Sequence, residues 1–206
     1  MTTPNIQLNP MLTTNATGLF NVNSAGFTQG VAQDDPSTKF QLVSGHLSTS
    51  ATIPLWQGIP IEELIPVSNA VGGYLGSGIL QSTNLATSTG ICVQNQASNG
   101  IITPQSSVPL YSSGMTVNFY RFGSGARIPM RLDPALVSLE GEIIKTQLSY
   151  DFTAKWLTTY DGTNAFPVKV LRVSTTGLVV SYNGTTGFAN FENASGGNGY
   201  LALVQI

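Results

Sequence analysis

The sequence predicts an all-β fold: an antiparallel β-barrel or a jelly-roll-like sandwich, preceded by an extended N-terminal arm. Three observations carry this. Among 206 residues, 22 Gly and 11 Pro are scattered throughout, so turn signals recur every several residues. No stretch keeps a helical apolar period for three turns. The last third holds short apolar or alternating runs between Gly-bearing turns, the rhythm of short strands. A chain of this length suits one generous domain, burying roughly 70% of its unfolded surface.

Taken in order, residues 1–50 read as the arm and 51–206 as the barrel or sandwich. Asn5 to Gly30 carries the isolated aromatics Phe20 and Phe27 in a polar setting without a sustained period. Such a segment gains order by lying on something. Asp34-Asp35-Pro36-Ser37-Thr38 is a turn, and Ala51 to Pro66 is Pro-studded with adjacent carboxylates Glu62 and Glu63. From Pro66 to Pro109 the chain reads as short strands, such as Gly78-Ile79-Leu80 and Gly100-Ile101-Ile102, joined by long loops. Met115 to Tyr120 and the Gly123-Ser124-Gly125 turn supply further strands. At Asp133-Pro134-Ala135-Leu136-Val137 a local helix fits, with Asp capping and Pro in the first turn.

The final third is the most legible. Leu148, Tyr150 and Phe152 alternate with polar neighbours, and Lys155 to Tyr160 runs into the tight-turn dipeptide Asp161-Gly162. Val168 to Val173, Leu178 to Tyr182, Phe188 to Phe191 and Tyr200 to Ile206 follow as four strands. Their Gly-bearing connections predict one antiparallel meander, with the last strand buried in a sheet.

Charge narrows the function classes. Only 8 Lys and Arg stand against 10 Asp and Glu, 9% of the chain, where ordinary domains run near a quarter. The 20 Ser, 23 Thr, 15 Asn and 11 Gln keep the surface wet instead. A net charge of −2 offers phosphate backbones no basic field, so no nucleic-acid partner is expected. No apolar run approaches the roughly 18 residues of a membrane helix, so no membrane partner is expected either. The opening Met1-Thr2-Thr3-Pro4-Asn5 lacks the basic start and apolar stretch of a signal peptide. The single Cys92, in the apolar run Gly90-Ile91-Cys92-Val93, reads as a buried core thiol and excludes an internal disulfide.

Catalytic patterns are sparse, and neither an enzymatic activity nor a cofactor or metal is expected. The lone histidine, His46, would need Asp34 or Asp35 folded against it, and no Gly-x-Ser-x-Gly nucleophile motif accompanies it. Glu140-Gly141-Glu142 places two acids on one face of an extended segment, and Glu62-Glu63 places two on opposite faces. Either pair could serve a glycosidase-like site, but solvated loop charges are the expected reading. Gly76-Ser77-Gly78 and Gly123-Ser124-Gly125 lack the Gly-Lys-Ser/Thr ending of a phosphate loop and read as turns. Arg121, Arg127 and Arg131 concentrate three basic residues in a short span, and Arg127 and Arg131 share a face if extended. Arginine pairs bidentately with carboxylates, which suits a protein interface, although solvated edge charges give the same pattern.

Short segments carry a resemblance. Thr28-Gln29-Gly30-Val31-Ala32-Gln33-Asp34-Asp35-Pro36, Pro54-Leu55-Trp56-Gln57-Gly58-Ile59 and the ending from Phe166 to Ile206, above all Gly177 to Gly187, are similar to virion structural proteins of tailed bacteriophages. More specifically the chain resembles the capsid cement, or decoration, proteins. The resemblance implies a non-enzymatic role on the capsid outer surface, bridging neighbouring capsomers. The implied partners are the major capsid protein and further copies of the chain, as a dimer or trimer. Phe20, Phe27 and Trp56 are the anchor candidates, joined by Arg121, Arg127 and Arg131. Two other classes stay open: a phage fibre or receptor-binding module recognising a host surface glycan, and a polysaccharide hydrolase using Glu140, Glu142 or His46.

Overall fold

The computed structural model describes residues 27–33, 38–64, 77–94, 100–139 and 147–206. Within them the chain is all-β. In chain order the strands are β1 (Phe27–Thr28), β2 (Leu42–Leu47), β3 (Pro60–Glu63), β4 (Ser77–Gln81) and β5 (Gly90–Val93). They continue with β6 (Thr116–Arg121), β7 (Arg127–Leu132), β8 (Leu148–Asp151) and β9 (Trp156–Thr159). The last four are β10 (Lys169–Ser174), β11 (Gly177–Asn183), β12 (Phe188–Asn193) and β13 (Tyr200–Gln205). The only helices among the described residues are single 3-10 turns. One is Pro134–Leu136, where Asp133 Oδ1 accepts from the Ala135 N–H at 2.9 Å and Pro134 occupies the first turn.

Three sheets result. A five-stranded barrel closes in the order β2-β4-β3-β5-β6. A five-stranded sheet runs β10-β13-β7-β9-β8, and a three-stranded one runs β1-β11-β12. Most pairs are antiparallel, while β1–β11, β2–β4 and β7–β9 are parallel. The four C-terminal strands are not the expected meander. β11 pairs β12 in one sheet, whereas β10 pairs β13 in another. The correction has a simple cause. The segment Ser174-Thr175-Thr176-Gly177 is no hairpin turn but a crossing between sheets, with Ser174 Oγ bonded to the Thr176 oxygen at 2.8 Å and Gly177 at φ +125°. Gly177 there lies so close to Phe27 that an added β-carbon would sit 2.3 Å from its carbonyl oxygen.

Two apolar cores share one wall. Alternate residues of β5 and β6 face opposite ways. Ile91, Val93 and Tyr120 join Ile128, Met130, Leu157 and Val204 in the core of the five-stranded sheet. Cys92, Val117 and Phe119 join Leu47, Ile61 and Ile79 inside the barrel. All four residues of β5 are buried, which is why Gly90-Ile91-Cys92-Val93 reads as an unbroken apolar run. Burial in this apolar core pushes the Cys92 thiol far above its usual range.

The folded region begins well before residue 51. β1 pairs β11, and β2 is a barrel strand between β4 and β6, so residues 27–33 and 38–50 belong to the sheets rather than to an arm. The expected arm boundary at residue 50 therefore does not stand; residues 1–26, with Phe20, lie outside the described residues.

Candidate interaction surface

One face of the five-stranded sheet, on which Pro129 and Leu201 are buried beside Gly30 and Gly177, carries three of the chain's scarce cations where it is exposed. Antiparallel partners stand on the same face of a sheet. Lys169 of β10 is opposite Gln205 of β13, and Gln205 is opposite Arg127 of β7. With strands about 4.8 Å apart, the two cationic residues have their backbones about 10 Å from each other. The next row along this face is Arg172, Leu203 and Pro129. Lys169 and Arg172 are three apart in sequence, so a regular strand would turn them to opposite faces. A bulge between Val170 and Arg172 removes one residue from the alternation and brings both cations out together.

These cations are exposed. Lys169, Arg127 and Arg172 all face solvent, and no ion pair joins any of them to a described carboxylate. Arg172 lies over the Phe27 ring at 5.8 Å, which holds its guanidinium over β1. Three of the chain's 8 Lys and Arg are thus exposed on the two strands that flank β13, with no described carboxylate partner.

Phe40 is linked to this row through Thr38, two residues before it. It projects from a 3-10 turn, Lys39–Gln41, and is 96% exposed. The turn is fastened at its base, where the Gln41 N–H donates to the Thr38 oxygen at 2.9 Å and Thr38 is buried. Thr38 packs towards Gly125, whose oxygen accepts from Gln205 Nε2 at 3.4 Å. Gln205 is the middle residue of the Lys169–Arg127 row. A phenylalanine left in water forgoes about 1.5–3 kcal/mol of burial, and one scattered apolar side chain means little alone. An exposed aromatic on a fastened turn together with exposed arginines is the composition of a protein interface.

The expected interface residues separate cleanly. Phe27 and Arg127 lie on this surface. Arg131 shares the sheet face but is engaged: its guanidinium lies over the Trp156 ring at 5.1 Å and its Nε donates to the Asn198 oxygen at 2.6 Å. Burial pulls the Arg131 pKa down from its usual value. Arg121 lies elsewhere, on β6, and is consumed by a bidentate pair with Glu63, Nε to Oε2 at 2.8 Å and Nη2 to Oε1 at 2.6 Å. That guanidinium holds the Glu63 carboxyl below its ordinary range, and Ser77 Oγ adds a bond at 2.6 Å. Trp56 is 2% exposed and stacks on Tyr182 with ring centres 4.7 Å apart, so it is a core residue and no surface anchor.

Sequence reasoning missed Phe40, Lys169 and Arg172. Lys169 and Arg172 sit in a strand that was read correctly, but the bulge that aligns them has no marker in Val168-Lys169-Val170-Leu171-Arg172-Val173. Phe40 was discoverable only as an aromatic next to a turn.

A second apolar exposure lies at the far end of β2. Leu47, Ile53, Pro54, Ile101 and Leu110 line a groove of about 380 Å³ with hydroxyl groups from Thr103, Ser112 and Ser113. Ile53 and Ile101 are 45% and 55% exposed there.

The residues considered for chemistry are dispersed. His46 lies on β2, opposite Thr116 of β6. Asp34, Asp35, Glu140 and Glu142 lie outside the described residues. Glu62 and Glu63 are neighbours on β3, with Glu63 committed to Arg121. Among the described residues no group of three or more His, Cys, Asp or Glu is placed to hold a metal ion. No protein family, curated protein or solved structure matches this chain.

Proposed function

We propose that this chain is a non-enzymatic virion structural protein that binds the outer surface of a tailed-phage capsid and stabilises contacts between capsomers. The major capsid protein is its partner, and copies of the chain assemble there as a dimer or trimer. The observation that supports the reading is the surface towards Phe40: a fully exposed aromatic on a fastened turn, with three exposed cations that have no described carboxylate partner, on a chain otherwise poor in charge.

The physics of a cement protein fits such a surface. A rigid β-framework presents its contacts without an ordering cost at each binding event. A small aromatic-centred patch binds modestly by itself, and repetition over a lattice multiplies that strength through avidity. Neutral polar residues over the rest of the surface keep the free protein soluble without strong like-charge repulsion between closely spaced copies.

The deciding experiment mixes purified protein with isolated expanded shells. Co-sedimentation with the shells and a rise in their melting temperature are expected, both weakened by Phe40→Ala. A wild-type protein that neither sediments with shells nor shifts their melting overturns the proposal.

A further inference from the structure

We infer that the surface formed by Phe40, Arg127, Lys169 and Arg172 takes an acidic protein segment, one that offers several carboxylates around an apolar contact. The inference deepens the reading above, resting on it for the surface being a protein interface, and it assigns the chemistry of the partner. Its test contains no capsid, so the two fail separately.

The argument is one of charge complementarity. Arg127, Lys169 and Arg172 come from two strands on either side of β13 and stand on one face by register. Among the described residues no carboxylate forms an ion pair with them. Arg121 shows the contrast: on β6 a half-exposed cation is already engaged by the bidentate carboxylate of Glu63. Arg172 is further oriented by the Phe27 ring beneath it, so its outward donors are held for a planar, two-oxygen acceptor. Phe40, linked to the row through Thr38, supplies the apolar contact.

A carboxylate partner fits better than a phosphate backbone. Nucleic-acid binding without base contacts grows with the number of phosphates neutralised, each adding a salt-dependence slope of about −0.9. Three cations give too few such contacts for useful affinity at physiological salt, and the net charge of −2 opposes approach of a polyanion as dense as DNA. Protein carboxylates are spaced more widely, and an apolar knob in addition to cations has a use on a protein surface.

The probe is poly-L-glutamate, titrated at about 20 mM and about 200 mM salt, conditions that change the screening length roughly threefold. The wild-type chain is expected to bind at low salt and to lose most of that binding at high salt. The triple variant Arg127→Gln, Lys169→Gln, Arg172→Gln should bind at least about tenfold more weakly, with an unchanged circular dichroism spectrum, because all three side chains are exposed. Arg121→Gln removes one positive charge from a site outside the surface and should bind like wild type, whereas each single change within the surface should weaken binding. The inference is overturned if wild type does not bind the probe, if the triple variant binds as well as wild type, or if Arg121→Gln costs as much as the triple change. Tighter binding of single-stranded DNA of matched charge would equally overturn it in favour of a phosphate surface.

Discussion

Gln57 Nε2 donates to the main-chain oxygen of Gln29 at 2.8 Å, and Gln29 Nε2 reaches back to the main-chain oxygen of Gln57 at 3.4 Å. Both side chains are buried, and Gln29 Oε1 also accepts the Val180 N–H at 2.9 Å. Each glutamine precedes a glycine in the left-handed region, Gly30 at φ +72° and Gly58 at φ +77°. The two Gln-Gly turns cross so tightly that an added β-carbon on Gly30 would lie 2.3 Å from the Gly58 nitrogen. This crossing joins the three-stranded sheet to the barrel, and Gly30 N–H extends it to the Pro129 oxygen on β7 at 2.7 Å.

Urea unfolding should rank the changes made there. Gln57→Ala leaves the buried main-chain oxygen of Gln29 without its side-chain donor and should cost about 1–3 kcal/mol. Gly30→Ala adds both the left-handed strain and a backbone clash, and should cost more than Gln57→Ala. A Gly30→Ala protein as stable as wild type would show that the two turns do not meet.

Trp56 and Phe40 make opposite predictions despite similar chemistry. Trp56→Ala opens a cavity against Tyr182 and should lower stability by about 3–5 kcal/mol. Phe40→Ala removes a side chain 96% exposed to water and should change stability by no more than about 0.5 kcal/mol. Thermal melting of the two variants checks both. A large loss for Phe40→Ala would mean that its ring is packed within the protein and is not presented to a partner.

Acid stability should depend visibly on Asp161. Backbone N–H groups of Asn164 and Thr163 donate to its carboxylate, both at 2.8 Å, and hold its pKa down to about 2 from an ordinary 3.8. The folded state therefore prefers the ionised form. That contribution is complete above pH 3.8 and disappears as the pH falls through about 2. Asp161→Asn keeps an acceptor oxygen but cannot titrate. The difference in melting temperature between wild type and Asp161→Asn should shrink across that window, Glu63 cancelling because both proteins retain it. A difference that is flat with pH would contradict the assignment.

Much of the local structure was legible because its causes are local. Alternation marked β8, and apolar runs between Gly-bearing turns marked β10, β11 and β13, to within a residue or two. Asp133 and Pro134 announced their 3-10 turn, and the glycines of Gly123-Ser124-Gly125 and Asp161-Gly162 do adopt positive φ. The interface candidates fared differently for a physical reason. Trp56 and Phe27 look alike in sequence as isolated aromatics, yet one lies under Tyr182 and the other at a sheet edge beneath Arg172. Which aromatic is covered depends on strands more than a hundred residues away.

The sequence by itself determined an all-β protein with little charge, its turn positions, and a thiol destined for an apolar strand. These follow from backbone preferences and from side-chain periodicity within a few residues. Only the tertiary structure decided that β10 and β13 leave β11 and β12 to another sheet, that a bulge turns Lys169 and Arg172 to one face, and that Arg127 meets them across β13. Those outcomes come from long-range pairing and from which apolar faces can be buried together, a competition among whole strands that no short segment records.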